Sequence, residues 1–333
     1  MRPFDDFRAL LSAMPGPDNL SQSLVRKKFN SSLPEGYSLE TLKDLAVWYL
    51  GWRGKEKESI NQPLMAVFAG NHGTISGEDA VFKSRLRPQW TQEMVDALAQ
   101  NKVLLNHVCR SENLHLRIFD LALEYPVMDF SKDAAMDERS CAATMAYGME
   151  AIAGEIDLLC LSGIGAGSNL SCAAIAHILT GCNIEDCFQD TLSSEEKDSQ
   201  TAFVKLAIEN NCNLLEDSFE VLRYYGGREI AALVGAILAA RMEKIPVILD
   251  DYVALTAAAL LYKLQPASLD HCIVSYRSTH KIFSILLEFI NKKPLLILEQ
   301  ANMPGIAAGI AVNKLRTALA CAQGISSLPE LFE

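Results

Sequence analysis

The sequence predicts an α/β fold built on a mainly parallel sheet covered on both faces. Three observations carry this. Short apolar runs recur along the chain, long helical patterns separate them, and several runs end in glycine or a carboxylate followed by a helix. At 333 residues, with 50% apolar and 21% charged residues, the chain can bury a large core and does not have a disordered composition. One large α/β domain with a small appendage fits this length as well as two domains do.

The first 50 residues read as helical. FRALLSAM is an amphipathic turn or two, and SLETLKDLAVWYLGW is a longer helix with an N-cap region at Ser38–Thr41 and a stop at Gly51. The first strand follows as PLMAVFAG. Further strands are expected at LRIFDLAL (116–123), IDLLCLSG (156–163), IPVILDD (245–251), HCIVSY (271–276) and PLLILEQ (294–300). RSCAATMAYGMEAIAG, LSCAAIAHILTG and GREIAALVGAILAARMEK are the clearest helices between them. The acidic stretch 183–200 reads as a loop or mobile connection.

Composition excludes some functions. A net charge of −11 without a basic face argues against nucleic acid as a partner. No run reaches the length of a membrane span, and the N-terminus MRPFDDFRALL has no secretory character. The nine cysteines form no CxxC pair and no zinc spacing, so they read as reduced, buried thiols of a cytoplasmic protein.

In an open parallel sheet, ligands bind beyond the carboxyl ends of the strands, so those segments are the candidates. Gly70-Asn71-His72-Gly73 follows the first strand, where Asn71 and His72 either bond a ligand or stabilise the turn. Gly163-Ile164-Gly165-Ala166-Gly167-Ser168-Asn169 opens a helix. Such a loop suits a phosphate, or simply allows close helix–sheet packing. Gly226-Gly227 opens the next long helix, with Glu229 in its first turn complementing the dipole. Asp250 and Asp251 end a strand, as ribose ligands, an acid–base pair, metal ligands or a helix cap. Ser275 and Arg277 lie at a strand end, where Arg277 is a carboxylate or phosphate clamp or a structural ion pair. Pro304 and Gly305 lie in the last such loop. No Ser/His/Asp order stands out, and covalent catalysis has little support.

The order of these segments resembles the nicotinate-nucleotide:dimethylbenzimidazole phosphoribosyltransferase family over nearly the whole chain, most specifically through VLRYYGGREIAALVGAILAARMEKIPVILDDYVALTAAALLYKLQP (221–266). GNHGTIS resembles the family's Asp-His-Gly loop and SYRSTH its Ser-His-Arg-Ser segment. The resemblance implies a three-layer αβα domain over 60–300 and a small helical domain assembled from 1–59 and 301–333. It also implies a homodimer, no metal and no cofactor. The implied activity is transfer of phosphoribose from nicotinate mononucleotide to a benzimidazole-like base in cobamide lower-ligand synthesis. It casts Asn71, His72, Gly73, Gly165, Gly167, Ser168, Asn169, Lys205, Gly226, Gly227, Asp250, Asp251, Ser275, Arg277, Pro304 and Gly305 as substrate-binding. Ala80, with Phe82 nearby, stands where a family Ser lies by the base.

Two family acids are absent. Pro304 stands where the family has its proposed general base, a Glu, and Gly163 where it has a second Glu. Glu299, five residues upstream of Pro304, is the candidate substitute base, or else a structural carboxylate. The losses also fit a different expectation, a non-catalytic nucleotide- or base-binding homologue that partners an intact paralogue.

Overall fold

Each of the six apolar runs forms a strand: β1 (Pro63–Ala69), β2 (His115–Asp120), β3 (Leu158–Ile164), β4 (Val247–Leu249), β5 (Cys272–Arg277) and β6 (Pro294–Ile297). The structure is a computed structural model that describes residues 2–33, 38–54, 59–75, 87, 89–188, 192–210, 216–298 and 304–325. The strands pair in parallel throughout, in the order β2-β1-β3-β4-β5-β6. Every residue of β1 and β3 is buried, which explains why those runs are apolar without alternation. β2 is an edge strand and is only partly covered.

Strand alternation splits the core in two. Leu64, Ala66 and Phe68 of β1, with Leu159 and Leu161 of β3, face one layer of helices. That layer includes Glu138–Met149, Ser168–Thr180, Arg228–Met242 and Tyr252–Leu264. Met65, Val67, Leu158 and Cys160 face the other, where helices Asn19–Ser32, Glu40–Arg53 and Ile306–Gly324 from the two chain ends share a core with the sheet. Helices Glu138–Met149 and Arg228–Met242 touch backbone to backbone. A Cβ on Gly148 would stand 2.0 Å from the Ala232 carbonyl oxygen, and one on Gly235 only 1.8 Å from that of Met145.

Three expectations are corrected. The 183–200 stretch is not all loop: a short 3₁₀ turn occupies Ile184–Cys187, and helix Ser194–Glu209 begins within the stretch. Its polar sequence conceals a capping box. The Ser193 amide donates to Glu196 Oε2 at 3.0 Å, and the Glu196 amide donates to Ser193 Oγ at 3.3 Å. Buried Gln200, Val204, Ala207 and Ile208 then dock the helix. Gly51 is not a helix stop either. The helix runs on to Arg53 and ends at Gly54, which has φ +87°. A Cβ on Gly51 would meet the Gln22 side chain at 2.5 Å, so this glycine lets two helices approach. Ser38 does not cap that helix; its hydroxyl lies 3.4 Å from Glu40 Oε1. Among the described residues, no helix is long and apolar enough to cross a membrane.

Candidate active site

The strand order reverses between β1 and β3, because the chain leaves β1 toward β2 and then returns to the other side. A crevice opens at such a point beyond the carboxyl ends of the two strands. The Gly70 amide donates to the Ile164 carbonyl there at 3.0 Å, holding the two strand ends together.

A buried polar group fills this point. His72 Nε2 lies 2.8 Å from Glu229 Oε1, and Ser168 Oγ donates to the same oxygen at 2.8 Å. Ser171 Oγ is 3.1 Å from His72 Nδ1, which fixes the ring from its other side. Burial alone would raise the Glu229 carboxyl. The neighbouring His72 and the hydrogen bonds from His72 and Ser168 outweigh it and hold the group below the ordinary value.

Glycines make room for this group. A Cβ on Gly70 would stand 2.2 Å from Glu229 Oε2, and one on Gly227 2.4 Å from both that oxygen and His72 Cε1. On Gly165 it would meet Ser168 Oγ at 2.4 Å, and on Gly167 the His72 Cβ at 2.8 Å. Gly167 also has φ +98°, a conformation side chains rarely adopt, and it starts helix Ser168–Thr180 with no side-chain cap. In its first turn the Ser168 and Leu170 amides donate to the Gly165 and Gly167 carbonyls at 3.2 and 3.0 Å, and the positive end of the helix dipole lies here.

A second group lies one strand over. Asp251 is the helix cap: Oδ1 accepts from the Ala254 amide at 2.8 Å, and Oδ2 accepts from the Gly163 amide at 2.9 Å and from the Ser162 hydroxyl. Asp250 is the member of the pair that does not cap this helix. Its Oδ2 accepts from the Gly305 amide at 2.5 Å, while Oδ1 is buried without a hydrogen-bond partner. Burial, reinforced by the adjacent Asp251, pushes the Asp250 carboxyl up to about 7. Gly305, at φ +84°, begins helix Ile306–Gly324, so Asp250 sits at that helix's N-terminus, bonded to the residue that follows Pro304 in sequence.

The expected residues separate accordingly. His72, Gly165, Gly167, Ser168 and Gly227 meet in the first group, and Asp250, Asp251 and Gly305 in the second. Ser275 supports the second group through a hydroxyl 3.3 Å from the Asp250 carbonyl. Asn71 is buried and donates to the Leu123 carbonyl at 3.0 Å, and its Oδ1 has no hydrogen-bond partner. Gly73 donates its amide to Val127 in a tight turn, and Gly226 ends helix Ser218–Tyr225. Asn169 bonds Gln200 at 2.9 Å, docking helix Ser194–Glu209 beside the crevice. Lys205 on that helix and Arg277 at the end of β5 are exposed, and no described hydrogen bond or ion pair ties either side chain to the two groups. Ala80, Phe82 and Glu299 lie outside the described residues.

From sequence Glu229 reads only as a complement to the helix dipole, and its position at the centre of the first group is the main site feature missed. The available signal was the pair Gly226-Gly227 just before it, since a glycine two residues from a buried acid leaves space for a side chain that folds back. Gly163 is also more than a lost acid. A Cβ there would stand 2.6 Å from Val253 Cγ1, under the helix that Asp251 caps.

An open parallel sheet, a glycine-initiated helix at its switch point and two buried carboxylate groups beside it define an α/β protein with a candidate site at the carboxyl ends of its strands. The chain belongs to the phosphoribosyltransferase family whose model matches residues 14–330. It is 43% identical over 330 residues to the nicotinate-nucleotide–dimethylbenzimidazole phosphoribosyltransferase of Brucella melitensis biotype 1, covering 98% of this chain and 96% of that one. Against the Brucella abortus (strain S19) protein of the same name the identity is 42% over the same span. A crystal structure of the Thermus thermophilus protein of that name has the same fold, with a TM-score of 0.82 at 21% identity over 92% of this chain and 96% of that chain.

Proposed function

We propose that this chain transfers the phosphoribosyl group of nicotinate mononucleotide to a nitrogen of a benzimidazole-like base in cobamide lower-ligand synthesis. The observation that carries the reading is identity of 43% along 98% of the chain with relatives of that name. The site supports it. The uncapped start of helix Ser168–Thr180 suits the nucleotide phosphate. The His72–Glu229–Ser168 group holds the Gly165–Gly167 loop rigid around it.

The transfer breaks the bond from ribose C1 to the nicotinate nitrogen and forms one to the incoming base, which must then lose its N–H proton. Asp250 is the acceptor for that proton. Its unpartnered Oδ1 and its value of about 7 suit proton exchange near neutrality. It reaches by hydrogen bond the very loop in which Pro304 replaces the family's glutamate. Asp251 is committed to three hydrogen bonds and serves as scaffold. The working unit is a cytoplasmic homodimer of 36.6 kDa chains.

Purified protein mixed with nicotinate mononucleotide and dimethylbenzimidazole will release nicotinate and form the riboside phosphate, read by chromatography. Asp250→Asn will lower kcat about 10²–10⁴-fold with a smaller change in KM. Pro304 favours a second reading, a homologue that binds without turnover. That reading gains if nucleotide raises the melting temperature while no nicotinate appears at high protein concentration.

A further inference from the structure

Outside the site, one pair of thiols is in contact among the described residues. Helix Ser168–Thr180 ends at Gly181, and the chain turns back through the 3₁₀ turn Ile184–Cys187. This brings Cys182 Sγ to 3.5 Å from Cys187 Sγ. Both thiols are free, as are all eight described cysteines. The turn is held in place on three sides. His177 Nδ1 lies 2.6 Å from the Cys182 carbonyl oxygen, and the Cys182 amide donates to Thr180 Oγ1 at 3.2 Å. Lys281 Nζ pairs with Asp186 Oδ2 at 2.6 Å.

The two sulfurs differ in the way a nucleophile and a resolving thiol must. Cys182 is partly exposed and Cys187 is buried. Contact with the Cys187 thiol, with help from Thr180 and His177, outweighs burial and holds Cys182 well below an ordinary thiol. Cys187 is correspondingly raised. Buried Cys109, Cys141, Cys160, Cys172 and Cys272 are all raised by burial and have no such partner thiol in contact among the described residues.

We propose that Cys182 and Cys187 form a redox pair that a small disulfide of the glutathione type oxidises to an internal disulfide. The Cys182 thiolate attacks one sulfur of the glutathione disulfide. A mixed disulfide forms, and the first glutathione leaves as its thiolate, which takes up the proton that Cys182 gave up. Cys187, deprotonated in turn, attacks the Cys182 sulfur and expels the second glutathione, which takes its proton. The protein loses two protons and two electrons, and one glutathione disulfide takes them up to become two glutathiones. The sulfurs need to close from 3.5 Å to about 2.05 Å, a movement of about 1.5 Å. The bond closes beside the buried Tyr252 hydroxyl, one residue beyond Asp251.

The test uses the full-length protein, folded and incubated with oxidised glutathione at neutral pH, then alkylated and mapped by peptide mass. The expected product joins Cys182 to Cys187 and is lighter than the reduced form by two hydrogens. Cys187→Ser should stop at a glutathione adduct on Cys182, and Cys182→Ser should leave Cys187 unreacted. The proposal is overturned if both thiols of the folded wild type stay open to alkylation under excess oxidised glutathione. It is equally overturned if the wild type stops at the adduct, or if Cys182→Ser takes up glutathione at Cys187 as fast as the wild type does at Cys182.

Discussion

Replacing Asp250 by Asn removes one ionisable group while keeping a side-chain oxygen able to accept the Gly305 amide. In the folded chain the Asp250 carboxyl titrates near 7, against 3.8 for an exposed aspartate. Between those values the folded chain keeps a proton that the unfolded chain has released. Raising the pH through that window therefore removes stability, and the loss is complete above about 7. The shift is about three pK units at about 1.4 kcal/mol each, or about 4 kcal/mol in all. The substituted amide cannot ionise, so the variant lacks this slope. Urea unfolding of both proteins from about pH 4 to about pH 8, followed by circular dichroism, gives the comparison. The variant's stability relative to the wild type should rise with pH by about 4 kcal/mol. Asp251 is common to both proteins and largely cancels. Parallel stability curves across the range would show that Asp250 is charged throughout, and would remove the basis for its role as proton acceptor.

Other substitutions test both groups. Glu229→Ala leaves His72 and Ser168 buried without their acceptor and should cost about 3–5 kcal/mol in urea unfolding. Glu229→Gln should leave a protein less dependent on acid pH, because the lowered carboxyl stabilises the wild type above its unfolded value and that gain is lost as pH falls through the folded value; acid titration by fluorescence reads this. Gly227 has φ −114°, open to any residue, so Gly227→Ala should destabilise by collision alone, about 1–3 kcal/mol, visible as a lower melting temperature. Gly305→Ala adds a left-handed backbone cost of about 1–2 kcal/mol to a Cβ placed 2.5 Å from Met65 Cε, and should also lower kcat if the Gly305 amide moves from Asp250.

The six strands were legible because buried parallel strands must be apolar, and each apolar run here became a strand. Their ends were legible as a candidate site from the same topology. Helix Ser194–Glu209 was hidden because its outer surface is acidic and its capping box is a two-residue signal in a polar stretch. In sequence the glycines read as room for a ligand or for close packing, and several are room for Glu229 and His72. Spacing alone cannot separate the two where, as at Gly70 and Gly167, the side chains that fill the space, Glu229 and His72, come from other segments of the chain. The division of labour between Asp250 and Asp251 was open for a related reason. Either can cap a helix in sequence, but only Asp251 meets Ser162 and the Gly163 amide.

Helices Glu138–Met149 and Arg228–Met242 cross where Gly148 meets Ala232 and Gly235 meets Met145, backbone to backbone. Gly235 lies six residues along the helix from Glu229, about 9 Å at 1.5 Å per residue. A bulkier residue at the crossing would push the whole rod outward, since a helix passes displacement along its axis with little bending. Glu229 would then swing away from His72 without any change to the residues around it. In a genetic screen, alleles at Gly148 and Gly235 should therefore behave like active-site lesions. Compensating changes should appear at the opposite helix rather than in the crevice.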